Sequence, residues 1–471
     1  MPTLLQEAYS PEAFRRFGHE LIDLLADHLA AAQQAQGQVI PWQEPEQSLA
    51  YWQQDFLEPT LESPTSLFRQ VLEHSTQLHH RRFMGHQVSA PAPVAALSGL
   101  LVSMLNNGMA VYEMGMASNP IEKIVTDWLA RHIGFDEQSS GLLTSGGTLA
   151  NLTALLAARA LQAPEDVWEE GAHTQLAVMV SEEAHYCIDR AARIMGLGAK
   201  GIIKVPVNER FQMKTELLPS LKKQAEAEGY TVFCVVGSAC STSTGAYDDI
   251  EAIADFCAAH GLWLHIDGAH GGAVVCSEKY RSLVKGIERA DSVVIDFHKM
   301  LLTPALNTAL VMQRNDDAYQ TFHQKAQYLW ANQASHDWFN SGKRTFECTK
   351  LMMCVNVYVL LRLYGEAIFA QQIDSRYDLA RDFAKLLHQH PNFELAVEPE
   401  SNIVCFRYMK QDTDLNQLNA QIRRSLLQKG EFYIVQTTLH DQLYLRVSLM
   451  NPHTTLADLE ALLAEILLIV A

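Results

Sequence analysis

A mainly parallel α/β fold, with helices on both faces of its sheet, is predicted by three features of this chain. Short, continuous apolar runs recur at Leu142–Thr144, Ala177–Ser181, Val232–Gly237, Trp263–Asp267, Val293–Asp296 and Ala309–Met312. Segments of helical period separate most of them, as DDIEAIADFCAAHG does before WLHID. The 471 residues, 48% apolar and 19% charged, supply ample core for one large or two to three fused units at ~100–200 residues each. Unbroken apolar strands need cover on both faces, and parallel neighbours need crossover helices to join them.

Residues 1–78 read as a helical segment that faces another surface. Ser10 caps a helix over residues 10–30 and Pro11 suits its first turn. Phe14, Phe17, Leu21, Leu24, Leu25 and Leu29 then recur at helical spacing, a stripe that needs a partner in this chain or in a second copy. A linker, QAQGQVIPWQEPEQ, precedes a second helical stretch over Pro64–His79. Gln87–Tyr112 carries no charge. Its Pro91, Pro93, Ser98, Gly99, Ser103 and Asn106-Asn107-Gly108 stop predict a buried interface helix rather than a membrane span. Ser118-Asn119-Pro120 opens a helix through Ile121, Ile124, Val125, Trp128 and Leu129. The strand-and-helix alternation follows, so a large α/β domain is expected over residues 79–350. Beyond it, residues 351–471 are expected to form a small α+β domain. A long helix, FECTKLMMCVNVYVLLRLYG, leads into it, SNIVCFRY and LYLRVSLM are its strands, and LADLEALLAEILLIV closes it.

Charge excludes some partners. With 54 acidic and 36 basic residues the net charge is −18, whereas nucleic acid and anionic membranes call for a Lys/Arg surplus. The eight cysteines include no C-x-x-C pair, against a disulfide scaffold or a zinc ribbon, and no metal site is expected. The N-terminus lacks a basic region followed by an apolar core, so a cytoplasmic protein is expected.

In open α/β sheets the site lies at the carboxyl ends of the strands. Leu142-Leu143-Thr144 runs into Ser145-Gly146-Gly147-Thr148 and then a helix. Glycines let the backbone approach an anion that the helix N-terminus stabilises, though such a turn is often only a turn. The strand AVMVS leads to His185, which either caps a helix or stacks on a flat ring. Asp267 ends a buried strand with no Arg or Lys close behind it, an expensive place for a carboxylate that lacks a cation. Lys299 follows the next buried strand, where burial should lower its pKa and make it a nucleophile. Each feature alone is ambiguous. Together they match pyridoxal 5′-phosphate: phosphate at a helix N-terminus, a stacked ring, a protonated pyridine nitrogen beside a carboxylate, and an aldehyde bound by lysine.

The motifs TSGGTLANLTALLAAR, SEEAHYCIDRAA, WLHIDGAHGGAVV, IERADSVVIDFHKMLLTPA and RTFECTK resemble those of the pyridoxal-phosphate-dependent group II amino-acid decarboxylases. That family includes the glutamate, aromatic-L-amino-acid, cysteine-sulfinate and 2,4-diaminobutyrate decarboxylases. The resemblance is strong over residues 65–365. It implies fold-type I homodimers with shared sites, an N-terminal segment wrapping the partner, and an L-amino-acid substrate. It also implies that Lys299 forms the Schiff base, Asp267 pairs with the pyridine nitrogen and His185 stacks on the ring. Gly146, Gly147, Thr148 and Ser145 would hold phosphate, Thr242 would lie near the cofactor, Ala269 would pack beneath the ring and His298 would neighbour the lysine. Phe83, His86 and Gln87 would face substrate.

Two departures stand out. Asp296 falls where aromatic-amino-acid decarboxylases carry Asn. The loop NQASHDWFNSGKRT lacks the tyrosine that is thought to protonate the product carbanion, and Phe339 is the closest aromatic, beside Trp338 and His336. His336 or His185 would then give the proton. Failing both, oxygen would intercept the intermediate and make the chain an aldehyde-forming decarboxylating deaminase. A dead regulatory paralogue is disfavoured by intact Lys299, Asp267 and His185, and an aminotransferase or carbon–sulfur lyase by His298 before Lys299. The substrate stays open among the family's amino acids, with a lean to diaminobutyrate from the phrase IDFHK.

Overall fold

The computed structural model describes residues 3–59, 63–322 and 337–471. They form two compact units: Met1–His86 with Lys385–Ala396 and Cys405–Ala471, and Gln87–Ala384 with Val397–Val404.

The larger unit is built on seven strands. They are β1 (Ser140–Thr144), β2 (Leu176–Ser181), β3 (Ile202–Val205), β4 (Thr231–Ser238), β5 (Trp263–Asp267), β6 (Ser292–Asp296) and β7 (Thr308–Met312). Their spatial order is β1-β7-β6-β5-β4-β2-β3. β2/β3, β2/β4, β4/β5 and β5/β6 pair in parallel, while β7 runs against β1 and β6. Every residue of β1, β2, β5, β6 and β7 is buried, which is why these strands read as unbroken apolar runs. The predicted α/β class holds. β3 escaped prediction because it is four residues long, sits at the sheet edge and carries Lys204.

One helix positions the site. Gly147–Gln162 packs on β4 to β7, with Ala150, Ala154, Ala157 and Ala158 fully buried. These small side chains let its backbone lie close to the strands.

The long helix expected over residues 346–365 is shorter, Cys354–Tyr364. Tertiary bonds outrank the local period. Lys350 Nζ donates to Glu122 Oε1 at 2.6 Å and to Leu143 O at 2.7 Å, and Thr349 Oγ1 accepts from Met109 N at 3.1 Å. Breaking a buried ion pair strands its partner, so Lys350→Met should destabilise the larger unit by about 3–5 kcal/mol. A urea titration would read this as a lower midpoint, and Glu122→Met in the same chain should restore most of it.

The uncharged segment supplies the helix Pro93–Leu105, which buries Ala95, Ser98 and Val102 and leaves Leu97, Leu100, Leu101, Met104 and Leu105 exposed. Among the described residues no helix is long and apolar enough to cross a membrane.

In the smaller unit the helix Pro11–Gln33 begins as predicted, with Ser10 Oγ accepting from Ala13 N at 3.2 Å. Phe14 and Leu25 remain exposed along it. The helix expected over Pro64–His79 is Thr65–Glu73. A second sheet, order β10-β11-β9-β8, comprises β8 (Phe393–Leu395), β9 (Ile403–Tyr408), β10 (Val435–Leu439) and β11 (Gln442–Ser448). The last two form an antiparallel pair. β9 and β11 match the predicted strands; β10 reads as a polar loop because Gln436 and Thr438 point outward.

Candidate active site

A cavity of about 520 Å³ lies at the carboxyl ends of β4, β5 and β6. Ser145, Gly146, Gly147, Thr148, His185, Thr242, Asp267, Ala269, Asp296, His298 and Lys299 all line it, so residues spread over 155 positions converge there. Asp267 and Lys299 come from adjacent paired strands, β5 and β6. Phe83, His86, Gln87 and Phe339 are not among the lining residues. Phe83 and His86 belong to the smaller unit, with ring centroids 5.3 and 5.8 Å from that of Tyr433. Gln87 begins the larger unit, and Phe339 lies edge-on to Tyr112 at 5.7 Å. His336 lies outside the described residues.

One end of the cavity suits an anion. Gly146 sits at φ +135°, ψ 159°, a region open essentially to glycine alone. A Cβ on Gly147 would lie 3.2 Å from Asp296 Oδ1 and 3.5 Å from the Ala269 methyl, a tight fit that a bare backbone avoids. The first turn of the helix Gly147–Gln162 presents N–H groups without intrahelical partners. Ser145 Oγ, beside them, donates to Glu347 Oε1 at 2.9 Å.

The other groups carry charge and protons. Asp267 Oδ1 accepts from Ala269 N at 3.2 Å. Asp296 is a hub: Oδ1 accepts from Thr308 Oγ1 at 2.5 Å, and Oδ2 lies 3.0 Å from Lys299 Nζ and 3.6 Å from His298 Nε2. The expectation of a lowered Lys299 pKa is overturned. Burial does push the ammonium down, but Asp296 and then Asp267 more than offset it and hold the group above the ordinary lysine value. His185 takes up the capping role that its position allowed. Its Nδ1 caps the following helix by accepting from Cys187 N at 3.3 Å, and its ring borders the cavity. Burial lowers its pKa against the pull of Asp267, which favours a neutral ring.

Sequence reasoning missed Asn151, Cys187, Ser238 and Cys240, which also line the cavity, and His265 beneath it. A signal existed for two of them. Asn151 follows Gly147 by one helical turn, and His265 precedes Asp267 by two, on the same strand face. Among the described residues no cluster of His, Cys, Asp and Glu is suited to a metal ion.

Comparison with known proteins agrees with this geometry. The family model described as "Pyridoxal-dependent decarboxylase conserved domain" matches residues 52–409, more than half of the chain. The L-2,4-diaminobutyrate decarboxylase of Acinetobacter baumannii is 28% identical over 414 residues, 84% of this chain and 81% of that protein. Human cysteine sulfinic acid decarboxylase is 29% identical over 491 aligned positions, 99% of this chain and 97% of that protein. The crystal structure of mouse CSAD in apo form superposes with a TM-score of 0.90 at 28% identity, over 98% of this chain and 99% of that one. The residues present fit pyridoxal phosphate: a cradle that a Cβ would fill, a buried carboxylate and an amine border one cavity of suitable size.

Proposed function

The chain belongs to the pyridoxal-dependent decarboxylases, with pyridoxal 5′-phosphate as cofactor, and from that premise we propose that it removes the α-carboxylate of an L-amino acid as carbon dioxide and releases the amine. The observation that carries this reading is the convergence of the Lys299 amine, the Asp267 carboxylate and one bare helix N-terminus on a single cavity. Lys299 would hold the cofactor covalently through its amine. Asp267 would keep the pyridine nitrogen protonated, and Ser145, Gly146, Gly147 and Thr148 would hold the phosphate. His185, Ala269, Thr242 and Asp296 would line the rest of the cofactor's site, and His298 would support Lys299 through Asp296. The bound cofactor supplies an electron sink for the bond broken at the substrate Cα.

Lys299 starts protonated, and this has a measurable consequence. A pKa above the ordinary lysine value means that the free amine grows about tenfold per pH unit between pH 7 and 9. Cofactor uptake by cofactor-free protein, followed by absorbance, should accelerate with pH over that range. Asp296→Asn removes the nearer carboxylate and should move the profile to lower pH by about one to three pH units. An unmoved profile would mean that the ion pair does not control the amine.

The cavity lining carries two carboxylates, Asp267 and Asp296, and two cations, Lys299 and Arg190. L-2,4-Diaminobutyrate heads the candidates, ahead of acidic, sulfinic and aromatic amino acids, from the phrase IDFHK and the likeness to the Acinetobacter baumannii diaminobutyrate decarboxylase. Carbon dioxide release should be screened over the proteinogenic amino acids, diaminobutyrate and cysteine sulfinate, with amine, ammonia and peroxide assayed together. Amine alone supports the lyase. One specific observation favours the alternative: residues 337–345 contain Phe339 and no tyrosine. Equimolar ammonia, peroxide and carbon dioxide with oxygen uptake would establish the aldehyde-forming reaction instead.

The functional chain is a homodimer in this reading. Residues 1–78 and the exposed apolar side chains of Pro93–Leu105 meet a second copy, residues 79–350 bind cofactor, and residues 351–471 supply the four-stranded sheet of the small domain. Sedimentation as a monomer would refute it. None of the eight cysteines is joined in a disulfide, which suits a reducing compartment such as the cytoplasm.

A further inference from the structure

We infer that Asn151 and His265 are positioning residues that, through a one-way chain of buried hydrogen bonds, fix the phosphate end and the pyridine end of the cofactor site together. The inference rests on the assignment of Gly147 and Asp267 to those two ends.

The direction of the chain follows from donor chemistry. Trp263 Nε1 can only donate, and it lies 2.9 Å from Ser292 Oγ. At the other end Gly147 O can only accept, and Asn151 Nδ2 donates to it at 2.9 Å. Asn151 therefore turns its Oδ1 toward His265 Nε2, 2.7 Å away. That nitrogen must carry the ring hydrogen, which leaves Nδ1 to accept from Ser292 Oγ at 2.8 Å. The second amide hydrogen of Asn151 serves Cys187 Sγ at 3.5 Å, and the thiol in turn reaches Asp267 Oδ2 at 4.0 Å. Hydrogens thus pass from Trp263 to Ser292, His265 and Asn151, then fork to Gly147 O and, through Cys187, to Asp267.

Two further facts support this polarity. Asn151, His265 and Ser292 are at most 1% exposed, so water does not compete for the Trp263–Ser292, Ser292–His265 and His265–Asn151 links, and breaking any of these leaves a group stranded. Burial also pushes His265 down to about 4 and the Cys187 thiol well above the ordinary cysteine value. The imidazole stays neutral and the thiol stays a donor. The chain spans β6, β5 and the cradle helix, and so sets the distance between cradle and carboxylate.

The test compares pyridoxal phosphate with pyridoxal, which keeps the aldehyde and ring but lacks the phosphate, by equilibrium dialysis against cofactor-free protein. Asn151→Ala should weaken the phosphate ester by about 10- to 100-fold and pyridoxal far less, so that the affinity ratio falls. His265→Phe should shift the ratio in the same direction. Cys187→Ala should move the pH midpoint of the bound chromophore, and Cys187→Ser, which keeps an O–H donor, should restore it. Equal weakening of both ligands by Asn151→Ala, or a Cys187→Ala midpoint identical to wild type, would overturn the inference. If the wild-type chain binds both ligands equally, the cradle assignment itself fails. The cysteine pair removes or exchanges a single atom, so it remains informative should Asn151→Ala not fold.

Discussion

Replacing Lys299 by alanine is expected to lower kcat by at least about four orders of magnitude, the scale of loss when a covalent nucleophile is removed. It should also abolish the cofactor adduct that borohydride fixes to the wild-type chain. Lys299 presents its amine to the cavity 3.0 Å from Asp296. Removing the amine should leave the fold in place, because Asp296 keeps the Thr308 hydroxyl at 2.5 Å and the alanine opens onto the cavity. Turnover and adduct therefore report chemistry rather than folding. Mass spectrometry of the reduced, denatured protein separates the outcomes: an adduct persisting in Lys299→Ala places the anchoring amine elsewhere, and wild-type turnover removes Lys299 from the reaction.

The parts of this site that were legible in the sequence are those written within one strand end. Asp267 closes WLHID and Lys299 follows SVVID, and such runs are continuous because the strands are buried on both faces. What stayed hidden depends on residues far apart in the chain. Lys350 meets Glu122 across 228 positions and so delays a helix that the local period extends back to Phe346. The Lys299 pKa was misjudged because Asp296, three positions earlier, shows in the local sequence but its 3.0 Å approach to the amine does not, and Asp267 lies 32 positions away. His265 reads as a strand residue until Asn151, 114 positions away, is seen against it. Phe83, His86 and Phe339 were linked to the site by resemblance alone, with no strand end or helix start beside them to mark a role.

Asp267→Asn is expected to reduce kcat by about 10²- to 10³-fold, the loss that follows removal of one preorganised electrostatic partner. Its effect on stability should have the opposite sign to that of an ordinary core mutation. Asp267 is 9% exposed, and two of its contacts are modest, the Ala269 N–H at 3.2 Å and the Cys187 thiol at 4.0 Å. A buried carboxylate with such partial compensation, offset in part by the Lys299 ammonium, costs the fold free energy until a closer cation joins it. In the proposed site the protonated pyridine nitrogen would be that cation once the cofactor is bound. The cofactor-free variant should therefore melt no lower than the cofactor-free wild type, while the rise in Tm on adding pyridoxal phosphate should shrink. Scanning calorimetry of both proteins, with and without cofactor, measures all four values. A cofactor-free variant that melts well below wild type would instead make Asp267 a structural residue, and its lost activity a consequence of a damaged fold.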